Sequence, residues 1–274
     1  MELARMDRLS ICELTTYRWT FEEDVQHYSD AGIHAIGVWR QKLSDFGEEK
    51  AVELLKDSGL VVSSLFWAGG FTGSEGRTYK ESVDDAKEAV HLAAALGAGC
   101  LILYTGARAG HTHNHARRLM KSAIVELAPL AAEHGVVLAL EPMHSGCASE
   151  WTFLTDLDDA LALLNAVNCP QLKLVFDTYH LGQGDAIVSR IPELVPSIGL
   201  VQLGDAKQPP EGEQNRCPIG EGNIPLSGII SALNQGGYEG AFEVELMGEE
   251  VEAADYAELI SRSKRACEQL IGVS

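Results

Sequence analysis

Short apolar runs alternate with amphipathic stretches along almost the whole chain. Eight runs, mostly Val, Ile and Leu and bounded by Gly or polar residues, predict strands. They are Leu9–Leu14, Ala35–Val38, Val61–Phe66, Cys100–Tyr104, Val136–Leu140, Leu172–Phe176, Ile198–Leu203 and Ala241–Leu246. Between them, apolar residues recur at helical spacing. Phe21–Ala31 opens behind Thr20, a good N-cap residue. Ser82–Leu96 carries Val83, Ala86, Val90 and Ala93 at helical spacing and stops at Gly97, where a left-handed C-cap is expected. Arg117–His134 stops at Gly135. Thr155–Val167 puts Leu157, Ala160, Leu161 and Leu164 on one face, and Leu226–Asn234 and Ala254–Ile271 complete the set.

Eight strand–helix repeats predict an α/β protein, a single (β/α)8 TIM barrel over residues 1–274. The main competitor, an open doubly wound sheet, usually has a glycine-rich phosphate turn after its first strand. Cys12-Glu-Leu-Thr-Thr-Tyr17 contains no glycine. Gln208–Gly222, rich in Gly and Pro, is expected to form a long loop after the seventh strand, on the side where barrel loops carry function.

A net charge of -19 argues against a duplex nucleic-acid binder, which needs a basic stripe to meet phosphates. Six cysteines lie scattered with no Cys-x-x-Cys, so reduced thiols are expected rather than a thiolate zinc site or a disulfide framework. Met1–Asp7 has no apolar signal core, and no run approaches the ~20 apolar residues of a membrane span. A cytoplasmic protein with neither membrane nor nucleic-acid partners is the expectation.

Four predicted strands end on an oxygen ligand: Glu141, Asp177, Gln202 and Glu245. In a parallel barrel all C-terminal strand ends meet on one face, so these four can converge on one divalent cation. Glu141 closes an unbroken apolar strand and Pro142 stops it. A buried ion pair at the rim is the alternative. Asp177 ends Leu174-Val-Phe, with the N-cap of the next turn as its ordinary alternative, and His180 follows three residues later. Gln202 offers a neutral amide oxygen, and Asp205 is its substitute. Glu243 and Glu245, two apart, share one face of the last strand; Glu243 lies deeper and is expected to pair with a basic or hydrogen-bonding group. Such a donor set suits Mg²⁺ or Mn²⁺ more than zinc.

Over nearly its whole length, and most specifically from Leu138 to Met247, the chain resembles the xylose isomerase-like TIM barrels, in the sugar phosphate isomerase/epimerase group that includes ketose 3-epimerases, hydroxypyruvate isomerase and inosose dehydratase. Leu140-Glu141-Pro142 resembles the group's first metal-ligand strand, Asp177-Thr-Tyr-His180 its Asp-x-x-His element, and Val244-Glu245-Leu246 its last ligand strand. Asn215-Arg216 and Gly220-Glu-Gly222-Asn-Ile-Pro225 resemble the substrate-side loop of the ketose epimerases. Most members carry His where Gln202 stands; the hydroxypyruvate isomerase-like members have Gln. The resemblance implies a sugar isomerase or epimerase with one divalent ion, Mn²⁺ or Mg²⁺ ahead of Co²⁺ or Zn²⁺. Glu141 and Glu245 would be both ligands and proton-transfer groups, with His180 and Arg216 on the substrate. A homo-oligomer is expected by the same analogy.

The alternatives are a lyase or dehydratase on a keto-sugar or keto-inositol, an endonuclease IV-like phosphodiesterase, and a non-catalytic sugar-binding barrel. His144, Trp39 and Trp67 are further pocket candidates, with orientation of the metal ligands as the equal alternative for His144 and core or rim packing for each tryptophan, and Trp151 is a cover for the site. His111, His113 and His115 form a cluster without a nearby carboxylate in sequence. A substrate-side loop with His111 facing the pocket is therefore preferred over a second metal site.

Overall fold

The computed structural model describes residues 8–272. Eight parallel strands close into a barrel in chain order. They are β1 (Leu9–Cys12), β2 (Ala35–Trp39), β3 (Val61–Gly69), β4 (Leu101–Tyr104), β5 (Leu138–Leu140), β6 (Leu172–Asp177), β7 (Ile198–Leu203) and β8 (Phe242–Val244). The barrel is thus the predicted α/β TIM barrel, with every strand placed within a few residues of its expected position. The fifth and eighth are shorter than expected and the third runs on to Gly69.

Helices surround the barrel: α1 (Phe21–Asp30), α2 (Arg40–Phe46), α3 (Glu48–Ser58), α4 (Tyr79–Leu96), α5 (His113–His134) and α6 (Leu157–Val167). The remainder are α7 (Thr178–Leu181), α8 (Ile191–Leu194), α9 (Leu226–Gln235), α10 (Glu249–Glu252) and α11 (Tyr256–Gly272). Caps explain the boundaries. Thr20 and Thr78 each form a capping box, with Glu23 and Glu81, at the starts of α1 and α4. Gly97 and Gly135 take the left-handed conformation that ends α4 and α5. Helix α5 begins at His113 rather than Arg117, because Thr112 caps it.

Most apolar side chains pack between helices and the outside of the barrel. The barrel interior is a smaller cluster built around Cys12, Phe66, Cys100, Ile102, Ala139, Val175 and Leu200. Among the described residues no helix is long and apolar enough to cross a membrane. All six cysteines are free thiols.

Candidate active site

Parallel register lines up the chemistry. Asp177 on β6 pairs with Gln202 on β7, and Gln202 pairs with Glu243 on β8. Glu141 follows β5 directly and ties its amide to the Leu103 carbonyl at 3.0 Å; Glu245 follows β8 and ties to Leu203 at 3.0 Å. All five side chains are buried at the C-terminal mouth or just beneath it. Ligand atoms of Glu141, Asp177 and His180 lie within 4.8 Å of one another, as do those of Cys12, Glu243 and Glu245.

Arg216 joins the two groups. Its Nη2 donates to Asp177 Oδ2 at 2.8 Å and lies 3.0 Å from Glu245 Oε1. Nη1 donates to the Glu245 carbonyl at 3.1 Å, Nε to Gln214 Oε1 at 2.9 Å, and the guanidinium lies over the Tyr179 ring. The loop that delivers it is fixed by Tyr179, whose hydroxyl donates to the Asn215 side chain and accepts from the Asn215 amide. Arg216 is fully engaged with protein groups, so its first role in this arrangement is to neutralise and space the acids.

Three carboxylates, Glu141, Asp177 and Glu245, face this single guanidinium. If all ionise, two negative charges stay uncompensated in a buried setting, a balance that a divalent cation would supply. The acids feel the deficit. Burial, then the charges of Glu245 and Asp177, push the Glu141 carboxyl well above its usual range. Burial raises Glu245 to about 7 although Arg216 pulls it down. Gln202 gives the second sign. Its Nε2 donates to Glu245 Oε2 and, at 3.3 Å, to Glu243 Oε1. Its Oε1 is buried without a hydrogen-bond partner. An orphan amide oxygen among carboxylates fits a hard cation.

Glu243 is held by donors, as expected. Ser63 and Ser64 hydroxyls donate to its Oε2 at 2.6 and 2.8 Å. Gly37 makes room for it, since a Cβ there would sit 2.5 Å from that oxygen.

His180 is fixed from behind. The His144 backbone amide donates to its Nδ1 at 3.2 Å, so the neutral ring carries its proton on Nε2. Nε2 faces Glu141 Oε1 at 3.9 Å and Asp177 Oδ2 at 3.8 Å. Burial lowers the imidazole to about 3, so it stays neutral near pH 7. His144 therefore acts on the site through its main chain, while its ring accepts from the Gly146 amide.

Trp67 Nε1 lies 3.5 Å from Glu141 Oε2, and Trp151 packs on Trp67 with centroids 5.2 Å apart. Trp39 stands further out, stacked on Phe66 and near Tyr17. His111 is turned away: its Nε2 meets the Thr72 carbonyl and its ring packs on His115. His113 departs from both, reaching Asp159 on α6 at 3.3 Å. A carboxylate does lie near this cluster, but the three rings do not converge.

Asp205 is not a substitute ligand. Its carboxylate accepts from the amides of Ala206, Gly220, Gly222 and Ile224 and so organises the long loop. Sequence reasoning missed Cys12, whose thiol closes the group with Glu243 and Glu245. The predicted first strand runs on to Leu14, whereas β1 ends at Cys12, so the strand-end rule does not point to this thiol.

Similarity to known proteins bears on this arrangement. The profile of the family described as xylose isomerase-like TIM barrel matches residues 25–266. A ketose 3-epimerase of Arthrobacter globiformis is 25% identical over 244 residues, covering 86% of this chain and 81% of the relative. The solved structure of protein SMc04130 from Sinorhizobium meliloti 1021 superposes with a TM-score of 0.88 at 27% identity, covering 96% of this chain and 98% of that one. The IOLI protein, solved with a bound zinc atom, has a TM-score of 0.82 at 20% identity over 97% of this chain and 98% of its own, a likeness of fold alone. With its eight-stranded barrel and a family match across most of its length, this chain belongs to the xylose isomerase-like TIM barrel family.

Proposed function

We propose that this chain is a divalent-metal-dependent sugar isomerase or epimerase in which Glu141 and Glu245 move the proton. The observation that carries this reading is the pair itself. Both acids are buried, they come from strand ends three strands apart, and both are raised by burial, Glu245 to about 7. Glu141, Asp177, Gln202 and Glu245 would hold the ion. Mn²⁺ or Mg²⁺ suits this all-oxygen set, with Co²⁺ or Zn²⁺ as alternatives. A bound ion would supply Lewis-acid polarisation of the substrate carbonyl.

Isomerising a ketose requires removing a proton from the carbon beside its carbonyl and returning it elsewhere. A carboxyl group titrating near neutrality serves as both base and acid. Glu141 would take the proton on one side of the substrate and Glu245 return one from the other. Trp67 Nε1 limits where the Glu141 carboxylate points. His180, neutral and protonated on Nε2, is suited to donate to a substrate oxygen. Arg216 keeps Asp177 and Glu245 from repelling each other. The relationship to a ketose 3-epimerase supports a small sugar or polyol as substrate.

The test is solvent deuterium exchange. Protein loaded with Mn²⁺ or Mg²⁺ is incubated with a panel of ketoses in D₂O and followed by NMR. Exchange at the carbon beside the carbonyl is expected, falling by about 10²-fold or more in Glu141→Gln or Glu245→Gln. Full exchange in both variants would reject the reading. A lyase is the second reading, favoured by the raised Glu245 carboxyl, whose protonated form can give its proton to a departing hydroxyl and so release water. Loss of water from the substrate in the same spectra identifies it.

A further inference from the structure

Beside the buried acids lies a cavity of about 690 Å³, walled by the loops that follow β5, β7 and β8. Its near wall is in contact with the site. Trp151 packs on Trp67, Cys147 lies 3.9 Å from His180 Nδ1, and Gln214 holds Arg216. Its rim carries Glu150, Glu213, Glu249 and Glu252, and none of its lining residues is Lys, Arg or His.

The cations on the neighbouring loops lie outside this cavity. Lys207 pairs with Glu250 at 2.9 Å. Arg40 gives both terminal nitrogens to Asp85, and Arg77 approaches the same carboxylate at 3.4 Å. Arg18 donates to the Ala254 carbonyl and lies over the Tyr256 ring. Arg108 is exposed but lines no part of this cavity. Arg216, the cation closest to the acids, is buried with its nitrogens in use.

We infer that this mouth selects an uncharged polyhydroxylated substrate and rejects its phosphate ester. The inference rests on the proposed isomerase reading for the identity of the site, and deepens it by naming the substrate class. A phosphate ester brings close to two negative charges into a mouth lined by four carboxylates, with no guanidinium fork to receive it. A free sugar pays no such cost. Its apolar C–H face can lie against Trp151, which is 41% exposed, and its hydroxyls can meet Gln214 and the carboxylates.

The test uses the Mg²⁺-loaded full chain and intrinsic tryptophan fluorescence, to which Trp67 and Trp151 contribute two of the four tryptophans. Free ketoses, their phosphate esters and inorganic phosphate are titrated at low and high salt. Free ketose is expected to bind about tenfold or more tighter than its ester at low salt, with the gap narrowing as salt screens the rim. In Glu213→Lys/Glu249→Lys, ester binding should tighten about tenfold. Ester binding as tight as free ketose, or unchanged in the lysine variant, overturns the inference. Deuterium exchange separates it from the isomerase reading. Faster exchange from esters than from free ketoses would leave the isomerase standing and sink this inference. Selective binding of free ketoses with no exchange from any of them would do the reverse.

Discussion

Arg216 places Nη2 2.8 Å from Asp177 Oδ2, joining the long loop after β7 to the end of β6 inside the barrel mouth. Gly204 permits the approach, since a Cβ there would lie 2.8 Å from Arg216 Nη1. The guanidinium also meets Glu245, so it offsets two acids at once.

Removing it should therefore cost stability. Arg216→Met leaves Asp177 and Glu245 buried without their cation, a loss of about 3–5 kcal/mol by the usual cost of breaking a buried pair. Chemical denaturation checks this. Added Mn²⁺ should recover part of the loss, because it supplies charge to the same acids. A variant as stable as the parent would mean that the ion pair contributes nothing.

The raised Glu245 makes a pH prediction. Between its unfolded value near 4.5 and its folded value of about 7, the native state binds more protons than the unfolded chain. Its contribution is therefore full below 4.5 and is lost as pH rises through 7. Glu245→Gln does not titrate. In metal-free protein, its stability relative to the parent should improve by about 3 kcal/mol across that window. A pH-independent difference would show that Glu245 has an ordinary carboxyl.

His180 should stay neutral. With Nδ1 accepting from the His144 amide and burial holding the ring near 3, ¹⁵N NMR should find the Nε2–H tautomer and no titration from pH 5 to 8. A midpoint near the ordinary histidine value of about 6.5 would contradict the burial argument.

Gly222 tests the loop. A Cβ there would fall 2.1 Å from Asp205 Oδ1, inside the ring of amides that holds this carboxylate. Gly222→Ala should destabilise by about 1–3 kcal/mol, as overpacking does, and speed proteolysis between 207 and 223. Parent-like proteolysis would mean that the loop does not depend on Asp205.

Much of this was legible in the sequence, and the exceptions have physical causes. Glu141, Asp177 and Glu245 stand out because a carboxylate ending an apolar strand has few reasons to be there. Cys12 ends β1 in the structure, but within the longer predicted strand Leu9–Leu14 it looks like one more apolar core residue. The path of Arg216 was hidden because it depends on Asp205 gathering amides from Gly220 to Ile224 and on Tyr179 gripping Asn215, both contacts across the fold. Helices α2 and α3 were missed because Gly47 splits Arg40–Ser58 into two short, highly charged segments, and neither has a side-chain N-cap to mark its start. His113 seemed to lack a carboxylate because Asp159 lies on another helix.

The central claim is that Glu141, Asp177, Gln202 and Glu245 hold one divalent ion. Equilibrium dialysis of the full chain against Mn²⁺ tests it most directly. One ion per chain is predicted, with affinity falling by about tenfold or more in Asp177→Asn and in Gln202→Leu. Unchanged Mn²⁺ binding in both variants would contradict the claim.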